Sequence, residues 1–263
     1  DKGSYSYLAS HRYFSRRAEK IIESGCQSFA DIMQLVEAGH VDYGVLPIEN
    51  TSSGSINEVY DLLQHTNLSI VGEITHPIEH CLLTAVNTRL DNIKTIYAHG
   101  QPFTQCSNFL DKQEGIRIEY CDSTADAMAK VYELQDDSVA VIGSEEGGNL
   151  YQLQALEKSI ANQNENHSRF ILVARKPVDV AEQIPAKTTL VIATGQKPGA
   201  LVECLVVLKN KGINMCKLES RPIQGRPWEE MFYIDVEANL KQLTLQEAIS
   251  QITEHTNFIK VLG

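Results

Sequence analysis

Short runs of hydroxyl, amide and glycine residues stand where predicted helices begin, an arrangement typical of anion-binding sites. They lie at residues 3–4, 50–54, 99–101, 123–124 and 143–144. The first N–H groups of a helix are unpaired and carry the positive end of its dipole, so they bind anions. Capping alone would explain any single run. Because the carboxyl ends of parallel strands meet at one edge of a sheet, the whole set predicts a cleft for a small anion.

The sequence gives little support for a metal site or a nucleotide-binding site. His76 and His80 are four residues apart, the spacing of two metal ligands on one helix face. Pro77 and the β-rich residues after His80 favour an extended segment instead, and no third ligand is obvious. The chain contains neither a phosphate-binding glycine loop nor the G-x-S-x-G turn of a serine hydrolase. We therefore expect no metal and no cofactor.

The composition is that of an acidic globular protein. The chain has 263 residues, of which 43% are hydrophobic, and a formal net charge of −11. Such a charge argues against nucleic acid as a partner and requires that an anionic ligand be bound by local groups. No apolar run reaches the ~20 residues of a membrane helix, and six cysteines without C-x-x-C spacing favour reduced thiols. We expect a soluble, cytoplasmic protein.

Strands that alternate with helices predict an α/β fold with a largely parallel sheet. Predicted helices cover residues 5–23, 30–37, 55–64, 103–110 and 124–134. Predicted strands cover residues 41–48, 68–74, 81–86, 94–98, 116–120, 139–142 and 170–173. We expect two lobes within residues 1–176, with the chain crossing near residues 73–80 and returning near residues 156–168.

A polar connector at residues 177–185 separates this part from a second predicted domain at residues 186–263. There the predicted strands cover residues 188–193, 213–219, 231–237 and 258–262, and the helices residues 198–211 and 245–252. The resulting βαββαβ order is typical of a ferredoxin-like domain.

The sequence resembles the prephenate dehydratases in a series of motifs. These are GSYS at 3–6, DYGVLPIENTSSGSINEVYDLL at 42–63, HCLL at 80–83, HGQPFTQC at 99–106 and NHSRFILVAR at 166–175. PGALVECL at 198–205, LESRP at 218–222 and PWEEMFYIDVEAN at 227–239 resemble the phenylalanine-binding ACT domain attached to them. The likeness covers essentially the whole chain and points to the dehydratase and regulatory part of the bifunctional chorismate mutase–prephenate dehydratases of enteric-type bacteria.

The resemblance implies a fold, a reaction and a mode of control. The fold would be a two-lobed catalytic domain like the type 2 periplasmic binding proteins, with the active site between the lobes, followed by an ACT domain. The reaction would be the decarboxylative dehydration of prephenate to phenylpyruvate, without a cofactor and with feedback inhibition by phenylalanine in a homodimer or larger homo-oligomer. Two alternatives stay open: a dehydratase acting on arogenate, and a non-catalytic module that binds a small anion or amino acid.

The resemblance also implies site residues. The family's Thr-Arg-Phe catalytic motif corresponds to Ser168, Arg169 and Phe170. Together with the runs at helix starts, it suggests a substrate-binding set: Ser4, Glu49, Asn50, Thr51, Ser52, His99, Gln101 and Thr124. For phenylalanine it suggests Gly199, Ala200, Leu201, Val202, Asn214, Glu219, Ser220, Arg221 and Pro222.

Three departures from the family pattern stand out. Ser168 replaces the catalytic threonine, which keeps the hydroxyl and loses the methyl, and Gly100 replaces the proline of the HPQ element. The apolar strand that usually precedes GSYS is missing, so we expect the natural chain to begin further upstream.

The roles within the site follow from the reaction, which needs a proton for the departing hydroxyl. Ser168 is the expected donor by resemblance, with Glu49 and His99 as alternatives. The residues alone would favour a strand-edge hydroxyl that bonds its neighbours. Alternation along a strand would place Phe170 beside Ser168 and turn Arg169 away, where it would brace the motif through an ion pair. The substrate carboxylates would meet helix N-termini at residues 51–54 and 123–124, with Asn50 and Gln101 as neutral donors.

Overall fold

The computed structural model describes residues 2–18, 20–223 and 225–263. The chain divides into two units, each built from several segments. The first unit consists of Asp1–Ser28, Pro47–Gly54 and Ile74–Phe170. The second consists of Phe29–Leu46, Ser55–Glu73 and Ile171–Gly263.

Helices and strands alternate along the described residues, as the α/β prediction requires. The helices are α1 (Tyr5–Phe14), α2 (Phe29–Glu37), α3 (Asn57–His65), α4 (Gly100–Gln105), α5 (Ser107–Leu110), α6 (Thr124–Leu134), α7 (Glu145–Leu150), α8 (Ala200–Asn210) and α9 (Leu243–His255). The strands are β1 (Gly44–Asn50), β2 (Gly54–Ser55), β3 (Ser69–Pro77), β4 (Cys81–Thr84), β5 (Thr95–Ala98), β6 (Arg117–Tyr120), β7 (Val139–Gly143), β8 (Gln154–Glu157), β9 (His167–Ala174), β10 (Thr188–Thr194), β11 (Met215–Pro222), β12 (Glu230–Val236) and β13 (Thr256–Val261). None of the helices in the described part of the chain is long and apolar enough to cross a membrane.

The first unit contains a mixed sheet in the order β6-β5-β7-β4-β8. β5 pairs in parallel with β6 and β7, whereas β4 pairs antiparallel with both β7 and β8. The prediction of a largely parallel sheet is therefore wrong here, because β4 pairs with strands that return from far along the chain and leave no local signal. Leu82 and Ile142 enter one apolar cluster, and Leu83 and Val141 enter another. Leu110 of α5 belongs to the first cluster and Met128 of α6 to the second, so helices pack on both faces of the sheet.

β1 and β9 are neighbours in the sheet of order β2-β1-β9-β3, and they position the candidate site. In β1 the buried residues alternate through Leu46 and Ile48 to Asn50, so a polar side chain occupies a core position. In β9 Ser168 and Phe170 are buried and Arg169 between them is less so. The predicted strand alternation therefore holds at residues 168–170.

The end of the chain follows the predicted βαββαβ order, from β10 to β13 with α8 and α9 between them. Its sheet has the order β11-β12-β10-β13, and each of these neighbouring pairs is antiparallel. Leu190 and Ile234 from the sheet pack with Cys204 and Leu245 from the helices in one fully buried cluster. No helix or strand lies between Ala174 and Thr188, where the connector was expected. The domain limits themselves stay a prediction.

Local structure departs from prediction at three places. The first helix ends at Phe14 and not at residue 23, because Ile21 and Ile22 are 41% and 89% exposed and further turns would bury no apolar face. The helix predicted for residues 103–110 is interrupted at Cys106, whose φ of −114° and ψ of 14° are not helical. The short elements α7 and β8 were not predicted, since a six-residue helix with two glycines has no apolar period.

Candidate active site

The side chain of Asn50, at the end of β1, joins the loop that follows it to the start of β9. Its Nδ2 lies 2.9 Å from Ser168 Oγ, 2.6 Å from Asn166 Oδ1 and 3.1 Å from the His167 carbonyl, so its two hydrogens are shared among three acceptors. Its Oδ1 accepts the backbone N–H groups of Ser52 and Ser53, both at 2.9 Å. Asn50 is only 5% exposed, so these bonds are made away from water.

This pattern fixes the direction of the bond between Asn50 and Ser168. Two backbone N–H groups require an oxygen opposite them and the His167 carbonyl requires a donor, so the amide of Asn50 has one orientation. Ser168 Oγ is therefore an acceptor towards Asn50 and keeps its own proton for another partner. A donor aimed at Oγ also stabilises negative charge on that oxygen, which makes the hydroxyl a better acid.

The run at residues 51–54 forms a turn at residues 51–53 and enters β2 at Gly54, so it is not the start of a helix, which corrects the prediction. α3 begins only at Asn57, after the short strand β2. The side chain of Asn50 caps the turn from inside, the typical competition of an asparagine with regular structure. Thr51 is also engaged: its N–H donates to the His167 carbonyl, and its Oγ1 accepts the His167 N–H, each at 2.9 Å. Backbone donors expected for a substrate carboxylate are thus used within the protein.

Arg169 and Glu49 form an ion pair next to Ser168. Arg169 Nε lies 3.0 Å from Glu49 Oε1, and the two side chains are 12% and 28% exposed. A pair so enclosed is held more firmly than a surface pair and links β9 to β1. Phe170, the third residue of the motif, is 2% exposed and belongs to the core.

The other predicted substrate-binding residues lie at the first turns of helices. Ser4 caps α1, and Thr124 opens α6, which Ser123 caps. His99 caps α4 by accepting the N–H of Gln101 on Nδ1 at 3.4 Å. The Gln101 amide reaches the turn after β1 and donates to Ser53 Oγ at 2.7 Å. Of these residues, Gln101 is the one bonded directly to that turn.

Three buried residues at the site were missed in the sequence. Gln105 Nε2 donates to Asn50 Oδ1 at 3.3 Å, and Gln105 Oε1 lies 2.7 Å from His80 Nε2. Asn166 accepts from Asn50, as described above. All three are at most 9% exposed. One sequence signal could have found them. Each is a polar residue at a position that a strand or helix would bury, within one of the motifs HCLL, HGQPFTQC and NHSRFILVAR.

The comparisons with known proteins identify the family. The sequence pattern described as prephenate dehydratase matches residues 1–178. A bifunctional chorismate mutase/prephenate dehydratase of Escherichia coli strain K12 is 56% identical over 262 residues, which cover 100% of this chain and 68% of that protein. This chain belongs to the prephenate dehydratase family. The predicted enzyme class, a carbon–oxygen lyase acting on prephenate in phenylalanine biosynthesis, is confirmed at this level.

A more distant relative and two solved structures match this chain over its whole length. An Arabidopsis thaliana protein described as arogenate dehydratase/prephenate dehydratase 2, chloroplastic, is 32% identical over 100% of this chain and 70% of its own. A prephenate dehydratase of Arthrobacter aurescens, solved in complex with L-Phe, is 26% identical, with a TM-score of 0.86 over 100% of this chain and 86% of that one. A chain described as a novel type of quorum quenching acylase is 27% identical, with a TM-score of 0.86 over 100% and 94%.

Two buried histidines of this dehydratase are held in their neutral form. Burial lowers the pKa of His80, opposed in part by its hydrogen bond to Gln105. Burial also lowers the pKa of His76, whose Nδ1 is enclosed without a hydrogen-bond partner. Among the residues that the structure describes, no group of three or more His, Cys, Asp or Glu side chains is placed to hold a metal ion.

The lowered pKa values of these two histidines predict that the protein loses stability in mild acid. Their folded pKa lies below the unfolded value of about 6.5, so the unfolded chain takes up protons first as the pH falls. The free energy of unfolding should therefore decline below about pH 6.5 and owe nothing to these groups above it. Denaturant midpoints between pH 7.5 and 5 test this, and His80→Gln should flatten the decline. An unchanged slope in His80→Gln would contradict the prediction, and His65→Gln, at an exposed histidine, is the control.

Proposed function

We propose that this chain converts prephenate to phenylpyruvate with the hydroxyl of Ser168 as the proton donor. The bond between the ring and its carboxylate breaks, and its electron pair enters the ring. The ring C–O bond breaks as the hydroxyl takes the proton of Ser168 and leaves as water. Ser168 regains a proton from solvent, so one proton is consumed for each carbon dioxide and water released. Aromatisation of the ring drives the reaction, and the enzyme supplies orientation and the proton.

The observation that carries the proposal is the 2.9 Å hydrogen bond from Asn50 Nδ2 to Ser168 Oγ. A serine hydroxyl is ordinarily a weak acid. The amide donor stabilises the charge that develops on Oγ as the proton departs, and Ser168 is 9% exposed, where such a bond is stronger than in water. Threonine in other family members would present the same oxygen to the same amide.

The alternative donors suit the role less well. Glu49 is ion-paired with Arg169, so its carboxylate is engaged in the contact between β1 and β9. His99 accepts a backbone N–H on Nδ1 as the cap of α4. We assign Glu49 and Arg169 to bracing β1 against β9. For the two substrate carboxylates we propose the first turns of α1 and α6, at Ser4 and Thr124, with Gln101 as a neutral donor.

Parallel assays with prephenate and arogenate test the substrate. The curated relatives at 56% identity are described as prephenate dehydratases, whereas the description that includes arogenate belongs to a relative at 32%. We expect phenylpyruvate to form from prephenate, with arogenate turned over at least about tenfold more slowly by kcat/KM, the usual effect of a changed polar group at a fitted site. Equal turnover of arogenate would support the arogenate alternative. Binding without turnover of either compound would support the non-catalytic module.

For residues 186–263 we propose an ACT domain that binds phenylalanine. Gly199, at the N-terminus of α8, has a φ of +81° and no atom within 4 Å of a Cβ placed on it, so a ligand has room to approach the backbone. The proposed ligand-binding residues of α8 are Ala200, Leu201 and Val202, and those near β11 are Asn214, Glu219, Ser220, Arg221 and Pro222. The Arthrobacter aurescens relative was solved with L-Phe, which supports an amino-acid effector.

Contacts within the second unit join β11 to Ser55 and to α3. Glu219 Oε2 accepts from Ser55 Oγ at 2.5 Å, and Arg221 donates to Asp61 of α3 through Nε and Nη2, both at 2.8 Å. Asn214 is bonded to Glu237 at 2.7 Å. Ser55 follows the turn that Asn50 caps. We propose that phenylalanine acts by altering these contacts, in a cytoplasmic homodimer or larger homo-oligomer whose subunits share the effector site.

Two substitutions should remove phenylalanine inhibition and leave the uninhibited kcat near that of the parent. Gly199→Val strains a left-handed backbone position and fills the approach to α8, and Glu219→Ala removes a proposed ligand contact. Calorimetry with phenylalanine and inhibition curves measure the result. If phenylalanine weakens the binding of substrate by some factor, thermodynamic linkage requires that substrate weaken the binding of phenylalanine by the same factor. Gly115→Val, at a φ of +76° with equally open space, is the matched control and should keep inhibition. Phenylalanine binding unchanged in both variants would place the effector site elsewhere.

A further inference from the structure

A chain of hydrogen bonds runs inward to Asn50 through side chains that the proposed mechanism does not use. The Tyr5 hydroxyl lies 2.9 Å from His80 Nδ1, and His80 Nε2 lies 2.7 Å from Gln105 Oε1. Gln105 Nε2 in turn donates to Asn50 Oδ1 at 3.3 Å. His80 and Gln105 are 1% and 9% exposed, so the chain runs through the protein interior.

The direction of these bonds is determined from the inner end outwards. Asn50 presents an oxygen, so Gln105 must turn its NH2 group towards it and its Oε1 towards His80. His80 must then carry its proton on Nε2 and accept at Nδ1, which makes the Tyr5 hydroxyl the donor to the ring.

The protonation states of the two outer residues agree with this direction. Burial lowers the pKa of His80, so the ring holds a single proton at neutral pH. Desolvation raises the pKa of Tyr5 well above its usual value, so the phenol keeps its proton. The Tyr5 hydroxyl has one proton and two acceptors, His80 Nδ1 and the Glu79 carbonyl, each at 2.9 Å, so they share this proton and hold the hydroxyl in place. From His80 to Asn50 each donor points inward, and bonds aligned in this way strengthen one another.

We propose that Tyr5 and His80 are positioning residues for the dehydration, which hold Gln105 and Asn50 in the orientation that leaves the Ser168 proton for the substrate. This inference rests on the proposed donor role of Ser168. Without His80, the Gln105 amide could turn and set its oxygen against the oxygen of Asn50. The repulsion would loosen the turn after β1 and the donor bond into Ser168 Oγ.

Steady-state kinetics with prephenate on three variants test the proposal. His80→Leu should lower kcat about tenfold, the effect of losing one net hydrogen bond, with KM within about twofold. His80→Gln should recover most of the loss, because its amide can donate to Gln105 Oε1. Tyr5→Phe should lower kcat about threefold. A side chain that only fills space would instead be replaced better by leucine than by glutamine, and that ranking would overturn the proposal.

A double-mutant combination separates this inference from the proposed function. If the hydrogen bonds from Tyr5 to Asn50 act through the Ser168 hydroxyl, adding His80→Leu to Ser168→Ala should change the residual rate by no more than about twofold. A further tenfold loss would overturn the inference and leave Ser168 as the donor. An unimpaired Ser168→Ala would overturn the proposed function itself.

Controls guard against simple loss of fold. Tyr233→Phe removes a buried tyrosine hydroxyl that donates to the Tyr60 carbonyl at 2.6 Å and takes no part in the hydrogen bonds from Tyr5 to Asn50. This variant should lower the unfolding midpoint without changing kcat. If His80→Leu does not fold, Tyr5→Phe combined with Ser168→Ala decides the question in the same way. A Tyr5→Phe variant with the kcat of the parent would count against the proposal.

Discussion

Ser168→Ala should lower kcat about 10²–10⁴-fold with KM little changed, the usual contribution of a positioned general acid. The substitution removes the proton that leaves with the ring hydroxyl but no group assigned to the carboxylates. Ser168→Thr should keep most of the activity, because threonine retains a hydroxyl at this position. Initial rates of phenylpyruvate formation over a range of prephenate concentrations measure both variants.

The kcat of the Ser168→Ala variant decides whether Ser168 is the proton donor. An alanine variant within a few-fold of the parent would end the assignment, and Glu49 would be the next residue to test. A loss shared equally by alanine and threonine would indicate that the site requires the exact volume of serine, and the hydroxyl would no longer explain the result.

Asn50→Asp should lower kcat about 10²–10³-fold, the effect of removing one donor that stabilises a developing oxyanion. The carboxylate still accepts from Ser52 and Ser53, so the turn after β1 can form. It has no N–H for Ser168 Oγ, Asn166 Oδ1 or the His167 carbonyl, and it sets oxygen against oxygen in a position only 5% exposed. We expect a loss of about 1–3 kcal/mol in the free energy of unfolding as well.

A second buried asparagine provides the matched control for Asn50. Asn239 is 2% exposed, donates Nδ2 to the carbonyls of Ala181 and Ile184, and accepts the Lys241 N–H on Oδ1. Asn239→Asp should therefore destabilise the protein to a similar degree and leave kcat unchanged. If both aspartates lowered kcat alike, the effect at residue 50 would reflect stability and not the bond to Ser168.

Elements with a local signal could be predicted from the sequence. The amphipathic period and the Ser123 cap define α6 at both ends, and the alternation along β9 correctly turns Arg169 away from Ser168 and towards an ion pair. The βαββαβ order at the end of the chain rests on the same kind of periodicity. Apolar period, capping and turn chemistry act over a few residues, so one sequence carries them.

Long-range hydrogen bonds carry no such signal, and the errors at the site have this origin. Gln105 meets Asn50 across 55 positions and His80 across 25, so neither contact leaves a trace in local spacing. The run at residues 51–54 resembles a helix start because serine and threonine cap helices. In the protein, Asn50 accepts the N–H groups of Ser52 and Ser53 that a substrate was expected to meet.

The proposal that this chain dehydrates prephenate through Ser168 is tested most directly by a single-turnover experiment with enzyme in excess over prephenate, since it isolates the chemical step from product release. We predict that the parent chain converts prephenate to phenylpyruvate and carbon dioxide in equal amounts, and that Ser168→Ala does so at least about a hundredfold more slowly. Equal rates for the parent and Ser168→Ala would contradict the proposal, as would loss of prephenate without formation of phenylpyruvate.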